Sequence, residues 1–134
     1  MLVDWLGAAP LLITKLKAAI PSLEEVQVVS SQAEAQAIAQ LAPSCFVAWG
    51  GDNVGGYAGS GSVCEVSQRW AIILVTKPGT SAGPLLSSII SALSGVSLSE
   101  EFDPLHYSGA IGSTFDGAFV YSTVYFSTAV FATA

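Results

Sequence analysis

Any reaction that needs a histidine base would have to use His106, the sole histidine of the chain. Ser108 and Asp103 stand close to it in sequence, so the residue types of a Ser-His-Asp nucleophile are formally present. The setting argues against that use. No GxSxG elbow follows a strand, and in so serine-rich a chain some serine falls near any histidine. His106 is therefore read as a hydrogen-bonded strand residue. Glu100, Glu101 and Asp103 gather before Pro104. Paired carboxylates can act as acid and base, but without accompanying site residues these three read as a solvated turn. Cys45 and Cys64 lack a CxxC or Cys/His spacing, which leaves them as buried thiols, with a disulfide disfavoured in an intracellular protein. No catalytic residue, cofactor or metal site is assigned.

The segment Gly50 to Gly61 carries six glycines in twelve residues and could cradle a phosphate. It has neither GxGxxG between a strand and a helix nor GxxxxGK with a lysine to reach phosphates, and another strand follows it. The expectation is a long hairpin loop, mobile until a partner orders it.

Around these residues the composition is unusual. The chain has 134 residues, enough for one domain that buries about two thirds of its unfolded surface. Apolar residues make up 51% and charged residues only 10%, so Ser, Thr, Gly, Gln and Asn must do most of the solvating. One reading is a monomer with a Ser- and Thr-rich surface; the reading preferred is a surface largely covered by other subunits. Ten acidic against four basic residues give a net charge of -6, which excludes an electrostatic footprint for nucleic acid and argues against an anionic membrane surface. The amino terminus does not read as a signal peptide, and Gly117 to Ala134, uncharged after Gly117 and 18 residues long, alternates like a strand rather than a lipid-facing helix. The expected place of synthesis and residence is the cytoplasm.

The elements organise around Arg69 to Thr76, where Ala71 to Val75 run apolar without a break, as suits a central strand covered on both faces. A helix is expected from Pro10 to Ala19, with Leu12, Leu16 and Ala19 on its buried face, and a strand over Glu25 to Ser30. Ser31 and Glu34 have the spacing of a capping box at the head of a helix over Gln32 to Leu41. Cys45 to Trp49 and Ser62 to Val66 read as strands on either side of the glycine-rich loop. A third helix, Pro84 to Leu93, carries Leu85, Leu86, Ile89, Ile90 and Leu93 on a wide apolar face and stops at Gly95. The end reads as a hairpin of Leu105 to Ile111 and Ala118 to Thr128 around Gly112 to Gly117, apolar on both faces. One sheet with helices packed against it is the simplest architecture.

This order of elements, with Arg69-Trp70-Ala71-Ile72-Ile73-Leu74-Val75, a helix opening at Pro84 and a closing hairpin around Leu105-His106-Tyr107-Ser108-Gly109 and Tyr121 to Phe126, resembles bacteriophage tail terminator (tail completion) proteins. The resemblance covers nearly the whole chain as one domain, 1–134. It implies an α+β fold with a mixed, largely antiparallel sheet flanked by about three helices. It also implies a structural virion protein, not an enzyme, assembled in the host cytoplasm at the head-proximal end of the tail. Such proteins form a hexameric ring that caps the tail tube, stops its polymerisation and meets the head-tail connector. DNA would pass through the channel without specific binding, past an acidic wall that repels phosphate. Asp52 and Asn53 in the loop, and Arg69 and Lys77 bracketing the central strand, are the candidate partner or subunit contacts, because a scarce charge is expected to have a designated partner. The rival readings are a head-closure or neck protein, a small cytoplasmic enzyme using His106, and a monomeric ligand-binding module using the glycine-rich segment.

Overall fold

The computed structural model describes residues 4–58 and 63–133. Its elements run α1 (Ala8–Ala19), β1 (Glu25–Val28), α2 (Gln32–Ile38), β2 (Ser44–Ala58), β3 (Val63–Thr76), α3 (Gly83–Leu93), β4 (His106–Phe115) and β5 (Val120–Thr133). The five strands form one sheet in the order β1-β2-β3-β5-β4. β1 joins β2 in parallel through α2, and every other pair is antiparallel, so the fold is the mixed, largely antiparallel α+β sheet expected.

β3 is the middle strand. Ala71 to Val75 are all buried, and alternation sends them into two cores. Trp70, Ile72 and Leu74 face α1 and α3 together with Cys45, Val47, Val124 and Phe126. Ala71, Ile73 and Val75 face the other side with Phe46, Tyr121, Val29 and Ala35 of α2. The odd residues of β5 accordingly serve the α2 face and the even ones the α1–α3 face, which explains why both faces of that strand are apolar.

The helices differ from expectation in detail. α1 begins at Ala8, so Pro10 lies third in the helix, still within the turn whose amides lack an intrahelical acceptor. Ala8, Ala9, Leu12 and Leu16 are buried; Ala19 is exposed, and Ile20 just beyond the helix takes its place in the core. α2 ends at Ile38 rather than Leu41. The chain must run back so that Ser44 pairs with Glu25, and the Glu24 amide donates to the Pro43 carbonyl at 2.7 Å to hold that return. The cap at its head is only half the expected box. The Glu34 amide donates to Ser31 Oγ at 3.2 Å, but the Glu34 carboxylate accepts from the amide and hydroxyl of Ser30 instead of from Ser31.

The largest correction concerns the glycine-rich segment. Gly50 to Ala58 is not loop but the second half of β2, paired with β3 out to Ala58 opposite Val63, with register shifts between Trp49 and Asp52 and between Val54 and Gly56. Residues 59–61 of the expected loop lie outside the described residues. Likewise Val63 to Val66 of the expected strand is not separate, Ser62 lying outside the described residues: β3 pairs with β5 without interruption from Val63 opposite Thr133 to Thr76 opposite Val120. The closing hairpin is longer than expected for the same reason, β4 reaching Phe115.

Candidate functional site

β2, β3 and β5 run on past the helices. From Trp49 to Gly55 β2 has no buried residue although the strand continues to Ala58, and this stretch, with the ends of β3 and β5 beside it, forms a projection whose inner part still carries Val66 and Val130 of the α1–α3 core. Val54 is exposed on the α1–α3 side of this projection and Phe131 on the other.

The root of the projection is braced by tryptophan. The register shift after Trp49 adds an extra residue around Gly50 and Gly51, and Gly51 takes φ +97, a left-handed conformation that glycine adopts without strain. An added residue reverses the alternation, so Trp49 and Asp52, three apart, both lie on the α1–α3 face. There the Trp49 indole donates to Asp52 Oδ1 at 3.0 Å and the Trp5 indole to Oδ2 at 2.8 Å. Across the strand pair from Asp52 stands Gln68, fully buried. Its Nε2 donates to the Trp5 carbonyl at 2.8 Å and its Oε1 accepts from the Trp70 indole at 3.3 Å. One carboxylate and one amide thus tie the segment before α1 to the two strands as they leave the core. Hydrogen bonds to a charged acceptor are the stronger kind, about 1.5–3 kcal/mol each when well sheltered and less at an exposed position such as this.

Asn53 follows in β2, exposed and opposite Ser67. Arg69 points to the other face of the sheet, its guanidinium carbon 3.7 Å from the Tyr125 ring centroid, a cation–π stack. Beside it runs a groove of about 250 Å³, lined by Ala71, Ile73, Thr123, Tyr125 and the Ser30–Gln32 turn at the head of α2. The Thr123 hydroxyl in that groove is buried and has no hydrogen-bond partner among the described residues. Lys77 lies at the other end of β3, exposed, on a separate hollow with Ala42, Pro43 and Leu85. The fold therefore places Asp52 and Asn53 together at the root of the projection but on opposite faces, Asp52 on the α1–α3 face and Asn53 on the α2 face that also carries Arg69, and it leaves Lys77 apart.

The edge strand β4 carries a further exposed set. Tyr107, Ile111 and Phe115 are 46%, 47% and 60% exposed, and two bulges interrupt its pairing with β5. Long uncharged edges of this kind are surfaces that other chains cover. The sequence reading missed the brace and this edge. The Trp49–Gly50–Gly51–Asp52 spacing was the available signal for the first, since two glycines within a strand mark a bulge.

The residues weighed for chemistry stand apart from each other. His106 is the strand residue expected, exposed at the start of β4 and in register with Ser127, but among the described residues no side-chain hydrogen bond joins it to Ser108 or Asp103. The Asp103 backbone closes the turn onto β5, its amide donating to Ala129 and its carbonyl accepting from Thr128. Cys45 is fully buried, and burial pushes its thiol up to about 12. It pairs across the sheet with Leu74 while Cys64 pairs with Tyr57 in the projection, which keeps both cysteines free. Among the described residues no helix is long and apolar enough to cross a membrane, and the uncharged tail is strand β5.

A family model of the phage tail terminator protein matches residues 4–133. The chain belongs to the phage tail terminator family. This tail terminator is thus a structural protein of the phage virion, placed in its tail. No curated protein matches the chain. Among solved structures, a chain of the "Virion of native gene transfer agent (GTA) particle" has the same fold, with a TM-score of 0.61, 16% sequence identity and 95% of each chain covered.

Proposed function

We propose that this tail terminator closes into a hexameric ring that caps the head-proximal end of the tail tube, ends tube polymerisation and presents its other face to the head-tail connector. The observation that carries the reading is the family match across residues 4–133. The physical features agree with it. Charged residues are 10% of the chain, and the exposed apolar side chains include Val54 and Phe131 on the projection and Tyr107, Ile111 and Phe115 on β4, where neighbouring subunits or the tube would cover them. Identical head-to-tail contacts close into a ring when their rotation divides the circle. The net charge of -6 suits a channel that DNA crosses without being held. Asp52 and Asn53 at the root of the projection, Arg69 on the α2 face and Lys77 at the end of β3 are the candidate contacts. Termination is geometric: the exposed ring face differs from a tube end, and the next tube ring finds no matching surface.

The test is addition of the purified protein to tube protein elongating in vitro. Capped ends carrying six copies, with elongation stopped, are the expected result. A tube-length distribution unchanged at saturating protein would overturn the reading, and binding to the connector without binding to tube ends would favour a head-closure role instead.

A further inference from the structure

We propose that the groove beside Arg69 receives the acidic turn of a neighbouring copy, so that carboxylates of Glu100 and Glu101 from one subunit meet the guanidinium of the next. The inference rests on the ring reading and names the contact that closes it. On the receiving side, Arg69 is exposed, its guanidinium carbon lies over the Tyr125 ring, and among the described residues it has no carboxylate partner. The planar guanidinium is the side chain best shaped to take a carboxylate in two parallel hydrogen bonds. On the supplying side, Glu100, Glu101 and Asp103 are exposed on one short turn, and among the described residues none has a basic partner.

Charge decides the occupant. With ten carboxylates and four basic side chains, a second copy offers an acidic surface far more readily than a basic one. Topology decides the geometry. Leu98, Phe102 and Leu105, which anchor the acidic turn, pack in the core shared with α1 and α3, whereas Arg69 lies on the α2 face. Donor and acceptor surfaces therefore sit on opposite faces of one sheet. They cannot satisfy each other within a subunit, and a contact between them is head-to-tail, the kind that builds rings.

A charge swap tests this. Arg69→Glu makes groove and turn both acidic, and Glu100→Lys with Glu101→Lys makes both basic. Each variant alone is expected to associate at least about tenfold more weakly than the wild type, read as mass against concentration. An equimolar mixture is expected to recover the ring, with the two variants alternating, because every groove then meets a turn of opposite sign. Native mass spectrometry reads the alternation as a three-plus-three composition. Circular dichroism of each variant checks that it is folded; Arg69→Gln and Glu101→Gln serve as milder versions if either is not. Rings formed by each variant as readily as by the wild type would overturn this contact while leaving the ring reading intact. Folded variants that stay monomeric in the mixture would also overturn it. A wild-type chain that never forms rings, alone or on tubes, would remove both.

Discussion

Asp116 shows how much local order one exposed carboxylate can impose. It accepts from the amides of Ala118 and Phe119, both at 2.9 Å, and from the Tyr121 hydroxyl at 2.8 Å, while Gly117 at φ +95 lets the chain reverse. The two backbone bonds, then the tyrosine, hold its carboxyl below the ordinary 3.8. A depressed carboxylate contributes stability that is complete above its unfolded value and is lost as pH falls through its folded value. The thermal midpoint of Asp116→Asn is therefore expected to lie below that of the wild type at pH 7 and to merge with it as pH drops below 3.8, followed by circular dichroism. At the alkaline end the sign reverses. Burial, then the neighbouring Asp116, push the Tyr121 phenol from 10.0 up to about 12, so its share of the turn's stability is complete below 10.0 and is lost as pH rises through about 12.

At the scale of elements, α1 and α2 are held by different forces. α1 lays fully buried Leu12 and Leu16 against β1, β2 and α3, so Leu12→Ala should cost about 2–5 kcal/mol. α2 has seven residues and buries only Ala35, which makes its Ser31 cap a larger share of what fixes it; Ser31→Ala should cost about 1 kcal/mol. Urea denaturation of both variants checks the contrast. The same division governs what could be read from sequence. Ala71 to Val75 announced themselves as the central strand because burial on both faces leaves no polar residue in the run. Pro84 and Ser31 marked helix starts through local chemistry. Gly50 to Ala58 hid its strand because glycine looks the same in a loop and in a bulged ladder, and what decides is β3 alongside. Gln68 fell between the two expected strands, Ser62 to Val66 and Arg69 to Thr76, because the partner that lets it be buried, the Trp5 carbonyl, is 63 residues away. Asp52 was noticed for its scarcity, yet its Trp5 partner is likewise distant, 47 residues off.

In the whole molecule, folding and assembly occupy different ends of the same strands. The two cores lie where β2 runs from Ser44 to Ala48 and β3 from Val66 to Thr76; beyond Val54, Gly55, Glu65 and Phe131 are exposed and Cys64 is partly buried against the α1–α3 core. Replacing residues 55–65 with an Asn-Gly turn, so that Val54 and Val66 close a short hairpin, should leave the thermal midpoint nearly unchanged. The same variant should no longer cap tube ends in the elongation assay. A truncated chain that still caps would move the tube-binding surface to β4 or to the helices.

The Asp52–Gln68 brace also has an optical consequence. All three tryptophans of the chain, Trp5, Trp49 and Trp70, donate into it, two to Asp52 and one to Gln68. Their indoles differ in shelter, Trp70 being buried and Trp49 43% exposed, but they share one address. Intrinsic fluorescence of this protein is therefore a label already installed at the joint between core and projection. A spectral change arising in this chain on meeting a tube end would come from that joint, with no dye attached and no other indole in the chain to confuse the signal.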